Sequence, residues 1–243
     1  MSFTILKPII YEHCAFYDMG HGKRTANKKY TTAPSKMFHH KYDSGLFFHE
    51  NGGTTFEEGT KNAHYGQLVI DKLTAMKVPV VPVCHNYLDT PLQHRTNIAN
   101  LYHSTIQKGV LFSEHSNAIT GPGRAVNNSA TGMSIWTSPG ATLSDVLATK
   151  FIEMYKSKFD CMINLKKLNV MEQNYPDGDP DYEARFHMLV ATMMPSVLFE
   201  NLFFDHEKDA NTLRTESYIQ DYTDLQAEFI KWCLVDGTKG IIL

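Results

Sequence analysis

Four short stretches of this 243-residue chain carry reactive side chains where an apolar run gives way to a turn or a helix. In FYDMGHGK (16–23), His21 stands between Gly20 and Gly22, and glycine lets a backbone turn sharply or approach another closely, so the imidazole is presented at a run's end. VLFSEHSNA closes a second run on His115. PSVLFENLFF places Glu200 after a third, where a carboxylate is unfavourable unless it bonds a partner or works beside a cation. FEEGTKN sets Glu57 and Glu58 just ahead of a helical pattern. Each has a plainer reading: an ordinary strand stop, a core histidine, a strand-end ion pair, a helix N-terminus that favours negative charge. Together they match one chemistry. Catalytic zinc takes three protein ligands from imidazoles and carboxylates and keeps a fourth position open, while a separate carboxylate handles the proton. Spacing alone does not establish the set, because ligands on different strand ends have no fixed interval.

Such residues meet only if the fold brings strand ends together. Runs at HCAFYDM, VPVVPVC, GVLFSEHS, GMSIWTS, FHMLVATM and SVLFENLFF predict strands, and helical patterns lie between several of them. Over 61–77, Tyr65, Val69, Leu73 and Met76 form one helical face. DTPLQHRTNIANLYHSTI (89–106) has Asp89 or Thr90 as N-cap, Pro91 in the first turn, and Ile98, Tyr102 and Ile106 in line. TLSDVLATKFIEMY (142–155) opens with Thr142 and carries Asp145 three residues on, close to a capping box. A last helix is expected over 215–235. This alternation predicts an α/β fold: one domain over 1–243, with a twisted, mostly parallel central sheet flanked by helices and functional groups at the strands' carboxyl ends. The polar stretch 23–59 and TGPGRAVNNSATG (120–132) fit neither pattern and read as long irregular loops, which in a compact domain are usually functional or mobile.

Composition narrows the classes. A net charge of −3 and a pI near 6.4 argue against a nucleic-acid-binding surface. No run is long enough to span a bilayer. Cys14, Cys84, Cys161 and Cys233 form no C-x-x-C pair and read as reduced thiols. With 12 histidines, ligands are plentiful and most must be bystanders. GHGK lacks the G-x-x-x-x-G-K-[ST] spacing of a phosphate loop.

DMGHGK resembles the D-P-G-H-G opening of the zinc-dependent N-acetylmuramoyl-L-alanine amidases, a family of bacterial cell-wall hydrolases and phage endolysins. FEEGTKNAHYGQLVIDKL resembles the family's segment with a glutamate four positions before an asparagine, a register that selects Glu58 over Glu57 through Asn62. DTPLQHRTNIAN is similar to its L-x-x-R-x-x-x-A-N helix through Leu92, Arg95, Ala99 and Asn100. FSEHSNA is similar to S-x-H-x-N-A, and MPSVLFENLFFDHEKD to the P-x-V-L-x-E region. The five motifs run in order from 18 to 209. There are departures: Met19 replaces a proline, Glu114 an apolar residue, and Leu202 and His206 a glycine and an asparagine. On an alternating strand Glu114 points away from His115, toward a second polar layer or solvent.

The resemblance implies Zn²⁺ held by His21, Glu58 and His115, with Glu200 taking the proton from water and passing it to the departing amine. Asn117 would contact substrate, or merely stabilise a turn. The implied substrate is peptidoglycan, cut between the lactyl group of N-acetylmuramic acid and L-alanine, by a catalytic domain with no separate wall-binding domain. The start MSFTILKPII lacks a basic leader and cleavage site, which suggests synthesis in the cytoplasm and action at the wall, as for a phage lysin, or a trimmed catalytic domain. The oligomeric state is left open. Two rivals stand beside this reading: a zinc peptidase or carboxypeptidase of related fold, and a non-catalytic wall-binding protein, which would have no need of Glu200.

Overall fold

The computed structural model describes residues 11–23, 30–32, 36–40, 55–119, 127, 129–159 and 179–235. Its centre is a six-stranded sheet with the order β4-β1-β5-β8-β6-β7, formed by β1 (Cys14–Met19), β4 (Val80–Pro82), β5 (Gly109–Asn117), β6 (Ser134–Thr137), β7 (Tyr182–Glu183) and β8 (Ser196–Phe203). The pairs β4–β1, β1–β5 and β5–β8 are parallel, β6 runs antiparallel to β8, and β7 is parallel to β6. A second, two-stranded antiparallel sheet pairs β2 (Met37–His39) with β3 (Thr55–Glu57). The expected mostly parallel α/β sheet is therefore present.

Alternation along the strands sorts side chains onto two faces. Ala15, Tyr17, Val110, Phe112, Val197 and Phe199 bury under α1 (Glu58–Ala75), α3 (Leu143–Phe159) and α6 (Glu216–Val235). There Phe151 packs on Phe199 at 4.7 Å between centroids and Tyr155 on Phe159 at 4.5 Å. Cys14, Phe16 and Leu111 face the other way, toward Ala99 of α2 (Leu92–Thr105) and Met188 of α4 (His187–Val190). Fully burying one such side chain is worth about 1.5–3 kcal/mol, so the two faces hold the crossover helices in place and with them every residue those helices carry to the strand ends. A short α5 (Glu207–Leu213) follows β8. No helix among the described residues is long and apolar enough to cross a membrane.

The signals at α3 act as expected: the Thr142 main-chain N–H donates to Asp145, and Ser144 N donates to Thr142 Oγ1 at 3.2 Å. Four expectations need correction. Helix α2 has Pro91 as its N-cap residue, with no side-chain cap, in place of Asp89 or Thr90. FHMLVATM is not a strand but the single-turn α4 with a following turn. Helix α1 starts at Glu58 rather than at 61, with Glu57 as its N-cap residue, and α3 continues to Phe159. The 23–59 stretch is not all loop, since it supplies β2 and β3. Most of the 120–132 loop, parts of 23–59, and Cys161 lie outside the described residues. Cys14, Cys84 and Cys233 are free thiols.

Candidate active site

The face that is apolar at Phe16 and Leu111 turns polar one step later, at Asp18 and Ser113, and then ends at His115. Asp18 is fully buried and takes Arg95 Nη1 at 2.6 Å on one oxygen and Ser113 Oγ at 2.7 Å on the other. Arg95, reaching in from α2, also donates to Met19 O at 2.9 Å, His21 O at 3.3 Å and Asp89 Oδ1 at 3.1 Å. One guanidinium thus ties the end of β1 to the start of α2. Burial alone would raise the Asp18 carboxyl, but Arg95, then His115 and Ser113, outweigh it and hold it below its ordinary value.

The glycines beside His21 are there because other groups need their space. A Cβ on Gly20 would sit 2.2 Å from His115 Cε1, one on Gly22 2.4 Å from Asp89 N, and one on Gly59 2.0 Å from Gly22 O. His21 itself has φ 65°, the left-handed region that non-glycine residues rarely occupy. The tight turn swings its ring back over the strand end, at 89° to the His115 ring with centroids 4.9 Å apart.

Glu58 completes the cluster from the first turn of α1. Its Oε2 lies 3.3 Å from His21 Nε2 and its Oε1 3.0 Å from His115 Nδ1. Oε1 also accepts from Ser116 N at 3.2 Å and Asn62 Nδ2 at 3.3 Å. Burial works against its charge, yet His21 and His115 hold the carboxyl well below the ordinary range. Burial would depress His21, but Glu58 more than offsets this and raises it. One ligand-capable atom from each of His21, Glu58 and His115 falls within 4.8 Å of the others. Two imidazoles and an ionised carboxylate at this spacing are a donor set that suits zinc. Glu57, by contrast, is buried in β3 and accepts from Thr60 Oγ1 at 2.9 Å.

Glu200 stands opposite His115 in the β5–β8 register, on the same face. Its Oε2 is sealed from solvent with no hydrogen-bond partner among the described residues. Burial, then the neighbouring charge of Glu58, pushes its carboxyl well above the ordinary range, with Lys61 opposing. The residue lies within β8 rather than at its end, and the pairing register shifts just beyond it. Leu202, at that shift, has φ 60°, a left-handed conformation that glycine adopts freely and leucine meets under strain. Asn117 Oδ1 accepts from Ala118 N at 2.8 Å, the local bond of a turn-stabilising asparagine. His21, Lys36, Asp89, Arg95 and His115 line a cleft of about 390 Å³. Sequence reasoning gave Lys61 no role and saw in Arg95 only a motif position. The apolar-to-polar switch at Asp18 and Ser113 was the available signal for Arg95.

The N-acetylmuramoyl-L-alanine amidase family model (Amidase_3) matches residues 17–231. No curated protein sequence gives a significant match. Among solved structures, the N-acetylmuramoyl-L-alanine amidase from Clostridium difficile 630 shares 21% identity, over 92% of this chain and 97% of its own, with a TM-score of 0.64. The amidase AmiC2 of Nostoc punctiforme shares 20%, over 90% and 96%, at 0.61. The catalytic domain of the CD27L endolysin targeting Clostridia difficile shares 15%, over 91% and 97%, at 0.53. These likenesses are of fold. The family match takes in the second half of β1, all of α1, α2, β5 and β8 and most of α6, the elements that carry or brace the cluster, and the chain belongs to the N-acetylmuramoyl-L-alanine amidase family.

Proposed function

We propose that the chain hydrolyses the amide between the lactyl group of N-acetylmuramic acid and the L-alanine of peptidoglycan stem peptides, using zinc held by His21, Glu58 and His115. The observation that carries this reading is the convergence of those three donors beside a carboxylate, Glu200, one of whose oxygens is buried with no partner among the described residues. Zinc in such a set activates water and polarises a carbonyl. Glu58 supplies the negative charge that balances the cation, and the Arg95 clamp and Gly20 keep the two imidazoles converging on it. Glu200 accepts the water's proton and returns it to the leaving amine, which requires its ionised form. Burial, then Glu58, raises its carboxyl, and a cation held by Glu58 would offset that repulsion and favour ionisation.

The test has two parts. Purified protein should carry about one zinc, lost in the His21→Ala, His115→Ala double variant and in Glu58→Gln, but kept in Glu57→Gln. Loss of metal from Glu57→Gln alone would move the ligand by one residue, and full zinc in the double histidine variant would remove the site. Mass spectrometry of digests of defined muropeptides should then find the lactyl acid and a free alanine amine, abolished by a chelator. Cleavage between two amino acids would make the protein a peptidase, and wall binding without any cleavage would make it a binding protein.

A further inference from the structure

Lys61 and Glu114 are buried charges that the reading above uses neither as ligands nor as proton carriers, although both act electrostatically on Glu200. Both are 0% exposed, and Lys61 Nζ lies 2.5 Å from Glu114 Oε1. Glu114 Oε2 accepts from Gln226 Nε2 at 2.7 Å and Tyr222 OH at 3.3 Å, and Tyr17 OH donates to Gln226 Oε1 at 2.8 Å. This is the second polar layer behind the strand, shared by α1, β1, β5 and α6. Apolar residues of similar volume often stabilise a core as well as a buried ion pair does, so packing alone does not account for it.

Where Lys61 spends its other protons is informative. It donates to His115 O at 3.0 Å and to Asn62 Oδ1 at 3.3 Å. With its oxygen facing an ammonium, the Asn62 amide must turn its NH₂ the other way. That NH₂ donates to Gly20 O at 3.0 Å, one residue before His21, and to Glu58 Oε1 at 3.3 Å. One ammonium therefore fixes the main chain of His115 directly, and the Glu58 carboxylate and the His21 turn through Asn62. Glu114 holds the ammonium there, and Gln226 and Tyr222 hold Glu114.

We propose that Lys61, anchored by Glu114, is a positioning residue that sets the geometry of His21, Glu58 and His115 from behind the strand, an inference that rests on reading those three as metal ligands. Groups that orient ligands in this way typically change metal affinity or activity by about 10- to 100-fold when removed. The pair is replaced as a unit so that no lone charge remains: Lys61→Met with Glu114→Leu and, in a second protein, Lys61→Gln with Glu114→Gln. Zinc affinity is measured by chelator competition on folded protein, alongside the melting temperature of the zinc-free form and kcat and KM. Whichever double variant folds should bind zinc about 10- to 100-fold more weakly, with its loss of turnover in kcat rather than KM. Tyr17→Phe, at the far end of the network, should lower the melting temperature and leave zinc affinity unchanged. Wild-type zinc affinity in a folded double variant overturns the proposal, as does failure of both to fold, which would make the pair a requirement of the core alone. Wild-type protein that binds no zinc would instead overturn the ligand reading itself, so the two failures are distinguishable.

Discussion

Glu200→Gln is expected to lower turnover by on the order of 10²- to 10⁴-fold while leaving zinc content unchanged. Glutamine keeps the shape of the side chain and cannot accept a proton, so the substitution isolates that one capacity. The residue stands opposite His115 in the β5–β8 pairing and has an oxygen with no partner among the described residues to lose, which predicts a melting temperature close to that of the wild type. The rate of the wild-type protein should rise with pH as Glu200 ionises, and this limb should be missing from the variant. Loss of zinc with activity would make Glu200 a ligand, and a fall in melting temperature with turnover intact would make it a structural partner. Normal turnover with normal zinc would remove it from the mechanism.

Arg95→Met is expected to be the most destabilising substitution near the site. It removes the guanidinium that Asp18 faces and leaves a fully buried carboxylate without its cationic hydrogen-bond partner, while Ser113 still donates to it. Breaking a buried pair from one side costs about 3–5 kcal/mol. At roughly 2–4 °C per kcal/mol for a chain of this size, the melting temperature should fall by about 6–20 °C. The pH dependence follows from the depressed Asp18 carboxyl. Its contribution is present above the unfolded value of about 3.9 and is lost as pH falls through the lower folded value, so the wild type should lose stability below about pH 4. In the variant that acid limb should shrink. Thermal melts from neutral pH downward check both, and an unchanged melting temperature at neutral pH would show that the pair contributes nothing net.

What could be read in advance, and what could not, follows from how local each signal is. Thr142 and Asp145 sit three residues apart, and the contact they predict is formed within that span. Tyr65, Val69 and Leu73 of α1 and the stripe of α6 likewise depend on spacing within one helix, whereas the α2 stripe misled at its end, where Ile106 is exposed and Arg95 and Ala99 lie on the buried face instead. FHMLVATM failed because a run of eight residues suits either a strand or a helix, and its packing of Met188 against the Ala99 face of α2 decides in favour of a helical turn. Motif register placed His21, Glu58, His115 and Glu200 in the chain, but not the distances among them. Leu202 was visible as a departure from a glycine, whereas its positive φ exists only in the folded strand. Lys61 looked like the start of a helix because its partner, Glu114, stands 53 residues away.

The parallel part of the sheet has a kinetic consequence. In sequence, β2, β3, α1, β4 and α2 lie between the paired strands β1 and β5, and β6, α3, β7 and α4 lie between β5 and β8. His21, Glu58, His115 and Glu200 come from four separate elements of this series, so no fragment shorter than nearly the whole sheet brings them together. Pairings between residues so distant in sequence form slowly, because loop closure must precede any gain from contact. An ion that needs all three donors thus finds its place only after the folding barrier has been crossed. Its effect falls on the reverse reaction: it holds the finished protein longer against unfolding and does little to hasten its formation.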